Sequence, residues 1–285
     1  MNIKFALITG ASRGLGEFLA RRFWEAGFSL YLAARSKSDL ENLAKSLPER
    51  SGQQVLLMIC DLADPSSVDE LITRVNSFSS PLSVLVNNAA LQGPIGPLWE
   101  NDFSSWVRTM QVDLLAPVAL CKAFVPVLHE NGGGSIINLS GGGATGPRAN
   151  FTAYATAKAG LVRFSETLAE ESRSLDVRVN CIAPGAMQTA MLGEVLEKGV
   201  EAAGEREFAI AGKVFAEGGA SMDRVADLAL FLASDVSRGI SGKLISAVWD
   251  DWQHWPEHLD ELSASDAYTL RRIAGRDRGF TWGDK

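Results

Sequence analysis

Cysteine is scarce, positive charge is in deficit, and no apolar run approaches the roughly 20 residues of a membrane-spanning helix; each shortage closes a class of function. The 285 residues hold three cysteines, Cys60, Cys121 and Cys181, all inside apolar segments and none at metal-ligand spacing. They read as buried free thiols, so neither a disulfide framework nor a zinc site is expected. The net charge of −7 argues against nucleic-acid or membrane partners and favours small molecules. The opening Met1-Asn-Ile-Lys-Phe5 lacks signal-peptide architecture and runs straight into a strand, which predicts a cytoplasmic protein. No internal repeat is visible.

What is present suits one large α/β domain with a substantial core, the hydrophobic content being 46%. Short β-rich runs alternate with segments of helical period: Lys4 to Thr9, Ser29 to Ala34, Gln54 to Cys60, Ser83 to Val86, Ser135 to Leu139, Arg178 to Ile182 and Lys243 to Ala247. These seven runs are apolar almost throughout, as strands covered by helices on both faces must be. They predict a doubly wound, seven-stranded parallel sheet. Helices are expected to start at Ser38 before Asp39, at Asp64 before Pro65 and at Ser221 before Met222. Pro117 and Pro126 are expected to bend or end parts of the helical stretch from Asp102 to Glu130.

The stretch 189–220, with Gly193, Gly199, Gly204, Gly212 and Gly218-Gly219, reads either as a substrate lid or as an ordered but irregular connection. The domain is expected to close at residue 247. Beyond it, an extension over 248–285 carries Trp249, Trp252, Trp255 and Trp282, four side chains that need burial within the fold, on a neighbouring subunit or against the substrate pocket.

Chemistry concentrates at two motifs. After the first strand comes Thr9-Gly-Ala-Ser-Arg-Gly-Leu-Gly16. Here Gly10, Gly14 and Gly16 permit a tight turn and close backbone approach, and the turn residues Ser12, Arg13 and Leu15 lead into a helix whose N-terminal amides attract a pyrophosphate. The second strand ends in Arg35-Ser36, with no acid for a ribose 2′-hydroxyl; Arg35, helped by Arg13, suits a 2′-phosphate, so NADP(H) is preferred over NAD(H). Asp61-Leu62, after the third strand, is placed to bond an adenine amino group. Far downstream, Tyr154 and Lys158 share a helix face at i,i+4 spacing. An ammonium beside the phenol would favour phenolate and lower a pKa that is normally about 10, making Tyr154 a general acid or base.

With Asn87-Asn88-Ala89-Ala90 after the fourth strand and Arg178-Val-Asn-Cys-Ile-Ala-Pro-Gly185 followed by Thr189, these motifs make the chain resemble the short-chain dehydrogenase/reductase family from Lys4 to about Ala247. The resemblance implies a Rossmann-type fold, with Asn88 on the nicotinamide-ribose side. It also implies Pro184, Gly185 and Thr189 against the nicotinamide, and Lys158 on the ribose hydroxyls. Helix pairing into a homodimer or homotetramer is implied in the same way. Two positions depart from the family pattern. The usual serine falls at Gly141, with Ser140 one residue early, and the usual helix asparagine falls at Asp113. A shift of one residue in a strand turns a side chain to the opposite face, although Gly141-Gly-Gly143 could re-aim Ser140. A carboxylate at Asp113 still accepts a bond from water.

The expected activity is hydride transfer between NADP(H) and a small carbonyl or alcohol substrate. Tyr154 would move the proton, Lys158 would stabilise the phenolate, and Ser140 or a glycine-cluster amide would polarise the carbonyl. Two alternatives remain open at this stage. One is a dinucleotide-binding sensor or interaction protein with impaired catalysis, motivated by Gly141 and Asp113; the other is a nicotinamide-dependent epimerase or dehydratase acting on a nucleotide sugar.

Overall fold

The computed structural model describes residues 4–78 and 81–282, so the first three residues of the opening segment lie outside it. Seven strands form one sheet: β1 (Phe5–Thr9), β2 (Ser29–Ala34), β3 (Val55–Ile59), β4 (Leu82–Asn87), β5 (Gly134–Leu139), β6 (Val177–Ala183) and β7 (Leu244–Ser246). Their spatial order is β3-β2-β1-β4-β5-β6-β7 and every pairing is parallel. Chain order reverses between β1 and β4, so a crevice opens beyond their carboxyl ends.

Strand alternation sorts the core onto two faces. Ala6, Ile8, Leu30 and Leu32 point to the side covered by α1 (Gly14–Glu25), α2 (Lys37–Ser46) and α9 (Met222–Ala233). Phe5, Leu7, Tyr31 and Ala33 point to the side covered by α3 (Pro65–Asn76) and α5 (Ala116–Glu130). Phe23 of α1 and Phe124 of α5 are fully buried on opposite faces. Truncating either to alanine would cost about 3–5 kcal/mol.

Several helix starts follow from side-chain caps. Asp64 accepts from the Ser66 amide ahead of Pro65, and Ser221 accepts from the Asp223 amide. The second helix begins two residues before the expected point, because Ser36, not Ser38, accepts from the Asp39 amide at 3.3 Å. The stretch after Asp102 is α4 (Phe103–Met110), one wide π turn (Gln111–Leu115) and α5. Pro117 lacks the N–H that would return to the carbonyl of Asp113, and its ring crowds that carbonyl; a widened turn relieves both. Pro126 lies within α5 without ending it.

The expectation that no apolar run is long enough to span a membrane is corrected here. Helix 103–130 passes by length and composition, with a mean hydropathy of 1.6 over an 18-residue window. Its apolar face lies in the core through Val112, Ala116, Leu120, Phe124 and Leu128.

Residues 189–220 are more regular than their glycines suggest, forming α7 (Ala190–Ala203) and α8 (Glu205–Glu217) with breaks at Gly199, Gly204 and Gly218, all at positive φ. Of the four tryptophans after residue 247, two reach the core. Trp252 and Trp255 are buried there, whereas Trp249 is 85% exposed and Trp282 is 74% exposed. The extension is fastened to edge strand β7. Lys243 Nζ donates to the carbonyls of Leu262, Ser265 and Ala267 at 2.8, 3.3 and 3.0 Å, and the Leu244 amide donates to the Tyr268 carbonyl at 2.8 Å.

Candidate active site

A cleft of about 730 Å³ runs along the carboxyl ends of the strands. One end is the glycine turn. Gly14 has φ +57°, which L side chains resist, and a Cβ on Gly16 would overlap the Gly10 carbonyl oxygen and come 2.8 Å from its carbon. The turn is tied to β4 by Asn88, whose Nδ2 donates to the Thr9 carbonyl at 2.9 Å, while the Asn88 and Ala89 amides both donate to Thr9 Oγ1 at 3.1 Å. Helix α1 then starts at Gly14 with no side-chain cap, which leaves its first amides to whatever enters the turn.

Gly10, Ser12, Arg13, Gly14, Leu15, Gly16, Arg35, Asp61, Leu62, Asn88, Ser140, Tyr154, Lys158, Pro184 and Thr189 all line the cleft. Two expected residues do not. Gly185 turns at φ +82° with Ala220 and Val248 behind it, and Asp113 lies one layer deeper, reaching the site through Lys158. The Thr189 hydroxyl caps α7, accepting from the Leu192 amide at 3.4 Å. Arg108 of α4 also lines the cleft and pairs with Asp61 at 3.5 Å; no spacing in the sequence marks it.

At the other end, α6 (Thr152–Glu171) presents Tyr154 and Lys158. The pair is arranged differently from the expectation. Lys158 Nζ donates to the Leu139 carbonyl at 3.0 Å, stands 3.7 Å from Asp113 Oδ2, and is 5.6 Å from the centre of the Tyr154 ring. A buried ammonium takes the acceptors nearest to hand, and here one of them is a full negative charge. The Tyr154 phenol is accordingly pushed upward from its ordinary pKa, first by burial and then by the Asp113 charge, with Arg148 opposing. This corrects the expected lowering. Burial also raises the Asp113 carboxyl to about 6, against the opposing pull of Lys158 and of the Leu91 amide, which donates to Oδ1 at 2.8 Å. The π turn aims Asp113 inward, where it is 0% exposed.

Ser140 continues the β5 ladder, its amide donating to the Ile182 carbonyl at 2.8 Å. Its Oγ is buried in the cleft wall without a hydrogen-bond partner. A Cβ on Gly141 would lie 2.9 Å from Tyr154 Cζ and nearer still to the hydroxyl, so the phenol occupies the space that a side chain at 141 would fill. Glycine at 141 and the position of Tyr154 are therefore one arrangement. Among the described residues, no cluster of histidine, cysteine and carboxylate side chains could hold a metal ion.

A family model described as short chain dehydrogenase matches residues 4–199. A short chain dehydrogenase of Monascus ruber is 30% identical over 279 residues, covering 95% of this chain and 86% of that protein. An uncharacterized short-chain type dehydrogenase/reductase of Sinorhizobium fredii is 32% identical over 251 residues, covering 85% and 94%. Among solved structures, L-sorbose reductase from Gluconobacter frateurii, complexed with NADPH and L-sorbose, is 31% identical with a TM-score of 0.76, over 86% of this chain and 95% of that one. By sequence, by sheet order and by the Tyr154–Lys158 cleft, this chain belongs to the short-chain dehydrogenase/reductase family.

Proposed function

We propose that this oxidoreductase uses NADP(H) to interconvert a carbonyl and an alcohol on a small molecule. One observation carries the reading: the glycine turn and the Tyr154 phenol face a single cleft. The residues fit a phosphorylated dinucleotide. The uncapped start of α1 suits a pyrophosphate, and Arg35 with Arg13 supplies cations where a 2′-phosphate would sit. Arg108 holds Asp61 at the adenine end. The L-sorbose reductase structure, with its NADPH, supports the same cofactor for this chain.

When bound, the nicotinamide supplies the hydride. Tyr154, kept protonated by burial and by Asp113, gives its proton to the carbonyl oxygen as that oxygen gains charge. The Ser140 hydroxyl is buried, and the side-chain position that faces the phenol is that of Gly141, so a backbone amide of the glycine cluster polarises the same oxygen. Lys158 supplies positive charge behind the phenol and is held there by the Leu139 carbonyl and Asp113. Helices α7 and α8 cover the substrate end as a lid. The same reading places the protein in the cytoplasm as a homodimer or homotetramer.

The test is purified protein with NADPH or NADH and a panel of aldehydes, ketones and keto-sugars, followed by loss of reduced-nicotinamide absorbance. NADPH consumption by at least one carbonyl supports the reading. Tight NADPH binding without consumption across the panel would favour the sensor alternative, and absence of dinucleotide binding would reject both.

A further inference from the structure

Lys158 brings its own buried counter-charge in Asp113, so the phenol of Tyr154 receives less positive charge than the pairing of tyrosine and lysine suggests. A second cation lies near the ring. Arg148 Cζ is 5.6 Å from the centre of Tyr154 and 3.9 Å from the centre of Phe151. Its side chain is 11% exposed and lies along the glycine cluster, where a Cβ on Gly142 would be 3.7 Å from Arg148 Cδ and one on Gly143 would be 3.3 Å from Arg148 Cβ. The Arg148 side chain thus packs along the active-site loop.

The partner of this cation comes from the lid. Glu207 of α8 accepts from Arg148 Nε at 2.8 Å, and its side chain is 16% exposed. The contact is anchored by an apolar cluster in which Val195 and Ala203 of α7 and Ala211 of α8 pack on Ile95 and Phe151. Four charged groups therefore bear on the phenol from four elements: Lys158 from its own helix, Asp113 from the π turn, Arg148 from the loop before α6, and Glu207 behind Arg148 from the lid. We infer that Arg148 is a positioning cation for the Tyr154 phenol, and that Glu207 on the lid helix sets how much of its charge the phenol feels. Paired with Glu207, the guanidinium acts on the ring as one end of a dipole; without Glu207 it acts as a full charge, which favours the phenolate. The position of α8 and the acidity of Tyr154 are coupled through one salt bridge. The inference rests on the proposed role of Tyr154 as the proton donor.

Arg148→Gln, Arg148→Lys and Glu207→Gln, each with a fluorinated tyrosine incorporated at position 154, give the test by fluorine NMR titration of that ring. Relative to the unsubstituted protein, Arg148→Gln should raise the midpoint by about one pH unit, Glu207→Gln should lower it by a similar amount, and Arg148→Lys should stay close to it. Equal midpoints in all the proteins overturn the inference. So does a shift in Arg148→Lys as large as that in Arg148→Gln, which would make packing rather than charge the cause. Should Arg148→Gln fail to fold, the other two variants still decide. The titration needs no turnover, so failure of the carbonyl panel overturns the proposed function without deciding this result, and unmoved midpoints overturn this inference while the function stands.

Discussion

Lys158 Nζ lies 3.7 Å from Asp113 Oδ2, with the two side chains 2% and 0% exposed. At that distance the contact is charge attraction without a full hydrogen bond, and Oδ2 has no hydrogen-bond partner. Burial accordingly outweighs the pairing, and the carboxyl is raised to about 6. The folded state then holds a proton on Asp113 that the unfolded chain releases near pH 4, so this residue's contribution to stability is present in acid and is lost as pH rises through about 6. Asp113→Asn removes the dependence while keeping an acceptor for the Leu91 amide. Urea unfolding of both proteins from about pH 4 to 7 should show the parent losing on the order of 3 kcal/mol relative to the variant. Parallel stability curves would contradict the burial of an ionisable acid at 113.

Gly141 and Tyr154 cannot both keep their places if residue 141 gains a Cβ. Gly141→Ala is expected to displace the phenol, lowering kcat at least tenfold while costing about 1–3 kcal/mol of stability, as overpacking does. Steady-state kinetics beside thermal unfolding checks this. Full activity in the variant would show that the ring moves aside without consequence.

Arg35 is the exposed cation at the end of β2 that lines the cleft. Loss of a charge-assisted contact of about 1.5–3 kcal/mol corresponds to about 10- to 150-fold in affinity. Arg35→Ala should weaken NADPH binding by that factor and leave NADH nearly unchanged, read by titration calorimetry. Equal weakening of both dinucleotides would remove Arg35 from 2′-phosphate recognition.

The sheet was legible because its strands are apolar throughout and punctuated by caps and turns; Ser29–Ala34 appears with the expected bounds. The ends of the second helix and the π turn were less so. Ser36 and Ser38 are both plausible caps until the Asp39 amide chooses, and Pro117 signals a disturbance without saying that the helix will widen rather than stop. In the site, the motif residues were readable and the electrostatics were not. The sign of the shift at Tyr154 depends on burial and on where the Lys158 ammonium points, and spacing along a helix fixes neither. Arg108 escaped notice for a related reason: its partner Asp61 comes from a distant strand end. Exposure of Trp249 and Trp282 was likewise unreadable, since composition counts tryptophans without saying which ones the core can reach.

Lys243 fastens the C-terminal extension through three backbone carbonyls. Lys243→Met retains the apolar stem and orphans those acceptors, at a cost of about 1–3 kcal/mol each where they remain buried. Limited proteolysis should then cut between residues 259 and 270 well before it cuts the sheet domain. Unchanged cleavage kinetics would show that apolar packing of Trp252 and Trp255 holds the extension by itself.

The most direct test of the whole account is a single-turnover reduction at saturating NADPH, comparing the parent with Tyr154→Phe on the best carbonyl from the panel. Loss of a positioned proton donor predicts a rate lower by about 10²–10⁴-fold with NADPH affinity retained. An unchanged rate in Tyr154→Phe would contradict the assignment of Tyr154 as the acid.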